Sequence, residues 1–112
     1  MAMPFISLLA ATNVIVAVAD GPPKANIEAT CRTSEREIRK LFGDTTAVNF
    51  ESCMKQQDEA FAKLRTDWET YPPGDRSRCV QTRGYMPSYV EWLTCLETER
   101  DLRRIRAQES NP

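Results

Sequence analysis

Asn49 to Gly74, NFESCMKQQDEAFAKLRTDWETYPPG, is the stretch that decides the fold. Phe50, Cys53, Met54, Gln57, Phe61, Leu64 and Trp68 recur at intervals of three and four, with Lys55, Asp58, Glu59, Lys63, Arg65, Asp67 and Glu69 between them. That period describes a helix with one apolar stripe and a charged opposite face. Asn49 has the side-chain oxygen needed to cap the first turn. Tyr71-Pro72-Pro73-Gly74 ends the element, because proline offers no amide donor and forces its predecessor out of helical angles. At about 1.5 Å of rise per residue, the helix is about 30 Å long, enough to serve as a spine.

Working outward toward the C-terminus, Asp75 to Gln81 predicts a short connector helix carrying Cys79 and Val80, after which Gly84 and Pro87 break the chain. Ser88 with Glu91 three residues later is a capping-box pattern, and the last helix is predicted from Tyr89 to about Ala107. Its first half is apolar (Tyr89, Val90, Trp92, Leu93, Cys95, Leu96). Its second half is charged, with Glu99 and Arg103 in the favourable i,i+4 order. Toward the N-terminus, Ile27 to Phe42 predicts a helix striped by Ile27, Cys31, Ile38, Leu41 and Phe42, with Gly43 as its stop in a left-handed conformation. Ser34 and Glu37 offer a second starting point at Ser34. No stretch shows useful strand alternation. The fold class is all-α: a small three- to four-helix domain over residues 27–108, built on a helical hairpin. Residues 20–26 form an extended, mobile leader, and residues 109–112 a tail.

Residues 1–19 carry no charged side chain, although the chain has 15 basic and 16 acidic residues. The apolar run Phe5 to Ala19 is shorter than the roughly 20 residues of a comfortable membrane span. It ends in Ala17-Val18-Ala19 before Asp20, a small-x-small pattern that a signal peptidase accepts. A signal peptide over 1–19 is therefore expected, leaving no stable membrane span after cleavage and a periplasmic or secreted product. Met-Ala-Met-Pro, at the start, lacks the usual basic residue of such a signal.

Cys31, Cys53, Cys79 and Cys95 are separated by 21, 25 and 15 residues, without a Cys-x-x-Cys pair. Structural zinc draws on closely spaced pairs, whereas an even number of distant cysteines in an exported domain predicts two disulfides. Three pairings are open. The connector helix, lying against the start of the last helix, favours Cys79 with Cys95, which leaves Cys31 with Cys53.

The chain has no histidine, which excludes Ser-His-Asp and Cys-His catalysis and removes the commonest metal ligand. No catalytic residue, metal or cofactor is expected. The carboxylate pairs Asp58/Glu59, Asp67/Glu69 and Glu97/Asp101 read as solvated helix faces of alternating charge. A net charge of −1 gives no reason to expect nucleic-acid binding. Tyr85, Tyr89 and Trp92, spaced four and three apart near Trp68 and Tyr71, fit the hydrophobic end of the hairpin core. As a surface, they would make a partner site with Arg100 and Arg103. The expectation is a non-enzymatic protein that binds a protein partner in the cell envelope, as accessory subunit or inhibitor. The alternative is a binder of a small ligand or an envelope polymer through an aromatic and arginine groove.

The segments FESCMKQQDEAFAKLRTDWETYP, DRSRCVQ and YMPSYVEWLTCLETERDLR resemble those of a family of small exported bacterial proteins with four cysteines and no assigned activity. The resemblance spans Cys31 to Arg104 and is most specific at Pro87-Ser88-Tyr89-Val90-Glu91 and Leu93-Thr94-Cys95-Leu96-Glu97. It implies export and a stapled helical domain, and no mechanism. Cys53 near a helix start, with a charged helix ending in an aromatic residue, is also similar to lysozyme-inhibitor-like domains.

Overall fold

Asn49 accepts a hydrogen bond from the Ser52 amide through its side chain, while Ser52 Oγ accepts from the Asn49 amide, so the central helix begins with a reciprocal capping box. The computed structural model describes residues 21–45, 49–81 and 86–110. Four helices follow one another: α1 Ile27–Phe42, α2 Phe50–Asp67, α3 Pro73–Cys79 and α4 Tyr89–Glu109. 3₁₀ turns close α1 (Gly43–Thr45) and α2 (Trp68–Thr70), and no strand occurs among the described residues. The expected signal peptide, Gly84 and Tyr85 lie outside the described residues.

The spine is α2. Helices α1 and α4 pack on it, and α3 packs on α4. Leu64, Trp68, Tyr71, Tyr89, Trp92 and Leu96 make the centre of one buried cluster, joined by Ile27, Cys31, Ala60 and Cys79. Tyr89 lies between two rings, 4.6 Å from Phe61 and 5.3 Å edge-on from Trp92, spacings at which aromatic pairs attract. The disulfides are Cys31–Cys53, between α1 and α2, and Cys79–Cys95, between α3 and α4. They suit an oxidising compartment. No described helix is long and apolar enough to cross a membrane.

Asn26 caps α1 through the Ala29 amide, so the helix starts at Ile27 as expected, and the alternative start at Ser34 falls away. Three sequence expectations change. Gly43 stops α1 with φ +77° and an extended ψ of −169°, its amide donating to the Arg39 carbonyl. The positive φ is as anticipated, but the backbone turns outward instead of closing in the left-handed helical region. The apolar stripe of α1 is buried only in its first half, at Ile27 and Cys31; Leu41 and Phe42 are 75% and 69% exposed. Finally, the leader is docked from Pro22 onward: Pro22 is buried, and the Ala25 amide donates to the Tyr89 hydroxyl at 2.8 Å.

Candidate functional site

The motif Pro87-Ser88-Tyr89 serves the fold. Thr30 Oγ1 donates to the Pro87 carbonyl (2.7 Å), tying α1 to the start of α4. Ser88 Oγ accepts from the Glu91 amide and from Gln57 Nε2. Gln57 Oε1 accepts from the amides of Tyr89 (2.8 Å) and Val90 (3.4 Å). A buried side chain of α2 thus satisfies orphan donors that open α4, the task that every helix start imposes. Trp92 Nε1 donates to the Gln81 carbonyl at 3.2 Å.

Tyr89 and Trp92 are 7% and 2% exposed. They are core and offer no surface to a partner; Tyr85 lies outside the described residues. The physical reason is the width of the apolar arc on α4, which lets α4 meet α2 and α3 together.

The arginines proposed alongside them are engaged elsewhere. Arg103 does not pair with Glu99. Its guanidinium binds Asp75 of α3, which also accepts from Arg78 Nη2 at 2.6 Å, while Glu99 lies 3.5 Å from Arg78. Asp75 is 1% exposed, and a buried carboxylate must hold cations close to offset its lost hydration. Arg100 sits with its guanidinium carbon 5.4 Å from the Tyr71 ring centre, as Arg76 does 5.2 Å from Trp68. Both are cation–π distances. Sequence reasoning missed Asp75, since a lone acidic residue after Pro-Pro-Gly reads as a helix-start residue; Arg76 and Arg78 nearby were the available hint.

Burial raises the Tyr71 hydroxyl pKa above its ordinary 10.0, with Asp67 and Glu97 adding to the shift and Arg100 opposing it. Of the carboxylate pairs, Asp58, Glu59 and Glu69 are exposed and Asp67 half-buried. Glu97 holds Lys63 (3.2 Å) and Arg100 (3.8 Å), and Asp101 holds Arg104. Among the described residues, no three Cys, Asp or Glu side chains group as a metal site. An opening of about 440 Å³ lies beside Gly21, Ala62, Arg65 and Thr66.

Among the described residues, the most exposed large apolar side chains are Leu41 and Phe42, followed by Ile105 at 50% and Leu102 at 38% on α4 and by Met86 at 37%. Leu41 and Phe42 are adjacent at the C-terminal end of α1, two turns beyond Glu35, which accepts from the Phe50 amide at 2.8 Å. No family model, curated protein or solved structure matches the chain.

Proposed function

We propose that this chain is an exported, non-enzymatic binding protein, periplasmic or secreted, that docks a protein partner of the cell envelope on the end of α1, as accessory subunit or inhibitor. The observation that carries the reading is the exposure of Leu41 and Phe42 on an otherwise stapled domain. Burying a side chain of this size stabilises by about 1.5–3 kcal/mol. The fold forgoes that at two neighbouring positions, and an exposed apolar pair with a polar surround (Arg39, Lys40, Asp44) is the form of a docking site. Export is supported by the uncharged segment 1–19 with Ala17-Val18-Ala19, and by two disulfides that suit an oxidising compartment.

A photoreactive residue placed at Leu41 of the protein in its native host tests the docking. The expected outcome is one discrete adduct in the envelope fraction, whose purified partner binds the wild type at least tenfold more tightly than a Leu41→Lys/Phe42→Lys variant. No adduct, or the same adducts from a photoreactive residue at exposed Gln56 on α2, would remove this surface from consideration. Intact mass of the recovered protein tests export separately: a start at Asp20 supports it, a retained N-terminus counts against it.

A further inference from the structure

Five buried side-chain polar atoms among the described residues have no hydrogen-bond partner, and all five belong to the junction of the Trp68–Thr70 turn, α3 and α4. They are Trp68 Nε1, Tyr71 OH, Arg76 Nε, Arg100 Nε and Asp75 Oδ2. Native proteins leave few such groups, and each asks for a cause. Four of the five are able to donate, and the fifth, Asp75 Oδ2, only accepts, so donors outnumber acceptors at this junction.

The geometry of the donors is organised. Trp68 and Tyr71 are three residues apart across a 3₁₀ turn, closed by the Tyr71 amide on the Trp68 carbonyl, and both are buried in the core. Each ring carries a guanidinium, Arg76 on Trp68 and Arg100 on Tyr71. The Arg103–Asp75 contact brings Arg76, next in sequence to Asp75, against the part of α4 that bears Arg100 one turn earlier. An arginine stacked on a ring has lost its rotamer freedom in advance and keeps a planar edge of N–H groups, the arrangement suited to an oxyanion.

The nearby carboxylates leave Arg76 unmatched and Arg100 only partly matched. Asp75 is matched by Arg78 and Arg103, and Glu99 lies against Arg78. Glu97 is closer to Lys63 (3.2 Å) than to Arg100 (3.8 Å). No described carboxylate lies within 4.0 Å of Arg76, which pairs with none. The Arg100 side chain is 40% exposed and Arg76 half-buried, so the outer edges of both guanidiniums face solvent, while their Nε atoms and the Trp68 and Tyr71 donors are buried.

We propose that Arg76 and Arg100, held over Trp68 and Tyr71, bind a phosphate oxyanion, with Trp68 Nε1–H and Tyr71 O–H completing the site from beneath. This goes beyond protein docking, and the site is separate in sequence from the exposed end of α1. Two sources present the same chemistry: free phosphate, and the phosphodiesters of an envelope polymer.

The test is titration of the ¹⁵N-labelled protein, disulfides intact, with inorganic phosphate and in parallel with a glycerol-phosphate oligomer, at constant ionic strength. The Trp68 Nε1–H, Arg76 Nε–H and Arg100 Nε–H signals should move together along one saturating curve. Arg76→Gln should weaken that binding about tenfold or more, and Arg104→Gln should leave it unchanged. If Arg76→Gln fails to fold, Arg76→Lys keeps the charge but not the planar edge and should weaken it as well. Saturation by inorganic phosphate identifies the free anion, and saturation by the oligomer alone identifies the polymer. The proposal is overturned if neither saturates the three signals, or if Arg104→Gln weakens binding as much as Arg76→Gln. Either result would assign the missing acceptors to water.

Discussion

Asp75 stands third in α3, where the helix dipole favours an anion, and is almost fully buried under Arg78 and Arg103. Its partners remain 60% and 50% exposed, so solvent screens part of the attraction. Asp75→Asn keeps the shape and loses the charge: both guanidiniums lie on Oδ1, so the amide N–H₂ takes the unpaired Oδ2 place and a neutral oxygen is left facing two cations. The expected cost is about 1–3 kcal/mol, read as a lower denaturant midpoint at unchanged slope. Tyr71 makes the opposite case. Its hydroxyl is buried without a partner, so Tyr71→Phe should be neutral or slightly stabilising at neutral pH. Because burial raises the folded-state pKa above 10.0, the folded chain holds this proton more tightly than the unfolded chain. That contribution is complete below pH 10.0 and is lost as pH rises through the raised value. Wild type should therefore lose stability above pH 10.0 more steeply than Tyr71→Phe in urea titrations across that range.

At the scale of elements, the long-range pattern was readable and the partner of each polar group was not. The period of three and four in Phe50 to Trp68 predicts α2 because burial of a stripe needs only that spacing, and Pro72-Pro73 marks its end. Ser88 signals the start of α4, yet nothing local tells that Gln57, thirty-one residues away, reaches its first amides. Gln57 reads as one polar member of an apolar stripe. Gln57→Leu should thus cost about 1–3 kcal/mol, despite its greater hydrophobicity, by leaving the Tyr89 and Val90 amides unpaired; thermal melts check the sign. Leu41 and Phe42 failed the other way. Their spacing fits the stripe of α1, but helical period does not say how far the neighbouring helix extends: α2 begins at Phe50, whose amide Glu35 holds, and beyond half-buried Ile38 α1 is exposed. Leu41→Lys/Phe42→Lys should leave thermal stability within about 0.5 kcal/mol of wild type, where Leu64→Ala, at 0% exposure, should cost about 2–5 kcal/mol. Equal losses would mean that the end of α1 is packed in solution.

At the scale of the molecule, the covalent map divides the fold into two stapled pairs. Cys31–Cys53 joins α1 to α2, and Cys79–Cys95 joins α3 to α4. Nothing covalent but the chain through Tyr71 and Pro72 joins the pairs, so α2 and α4 are held by the cluster around Leu64, Trp68, Tyr89, Trp92 and Leu96. Ten hydrophobic residues make up the buried core among the described residues, and the core of a domain this small rarely supplies more than about 3–5 kcal/mol. The bridges close loops with sequence separations of 22 and 16; each contributes about 2–4 kcal/mol, largely by restricting the unfolded chain. Their sum, about 4–8 kcal/mol, is comparable with or larger than what the core supplies. Reduction should therefore abolish the cooperative thermal transition seen by far-UV circular dichroism in the oxidised protein and remove most of the helical signal at 37 °C. A reduced chain that melts cooperatively within a few degrees of the oxidised one would show that the α2–α4 seam alone carries the fold. If reduction unfolds it as expected, the helices persist only after both bridges close. Folding then follows entry into an oxidising compartment, and the Leu41–Phe42 end and the arginine junction are both assembled there.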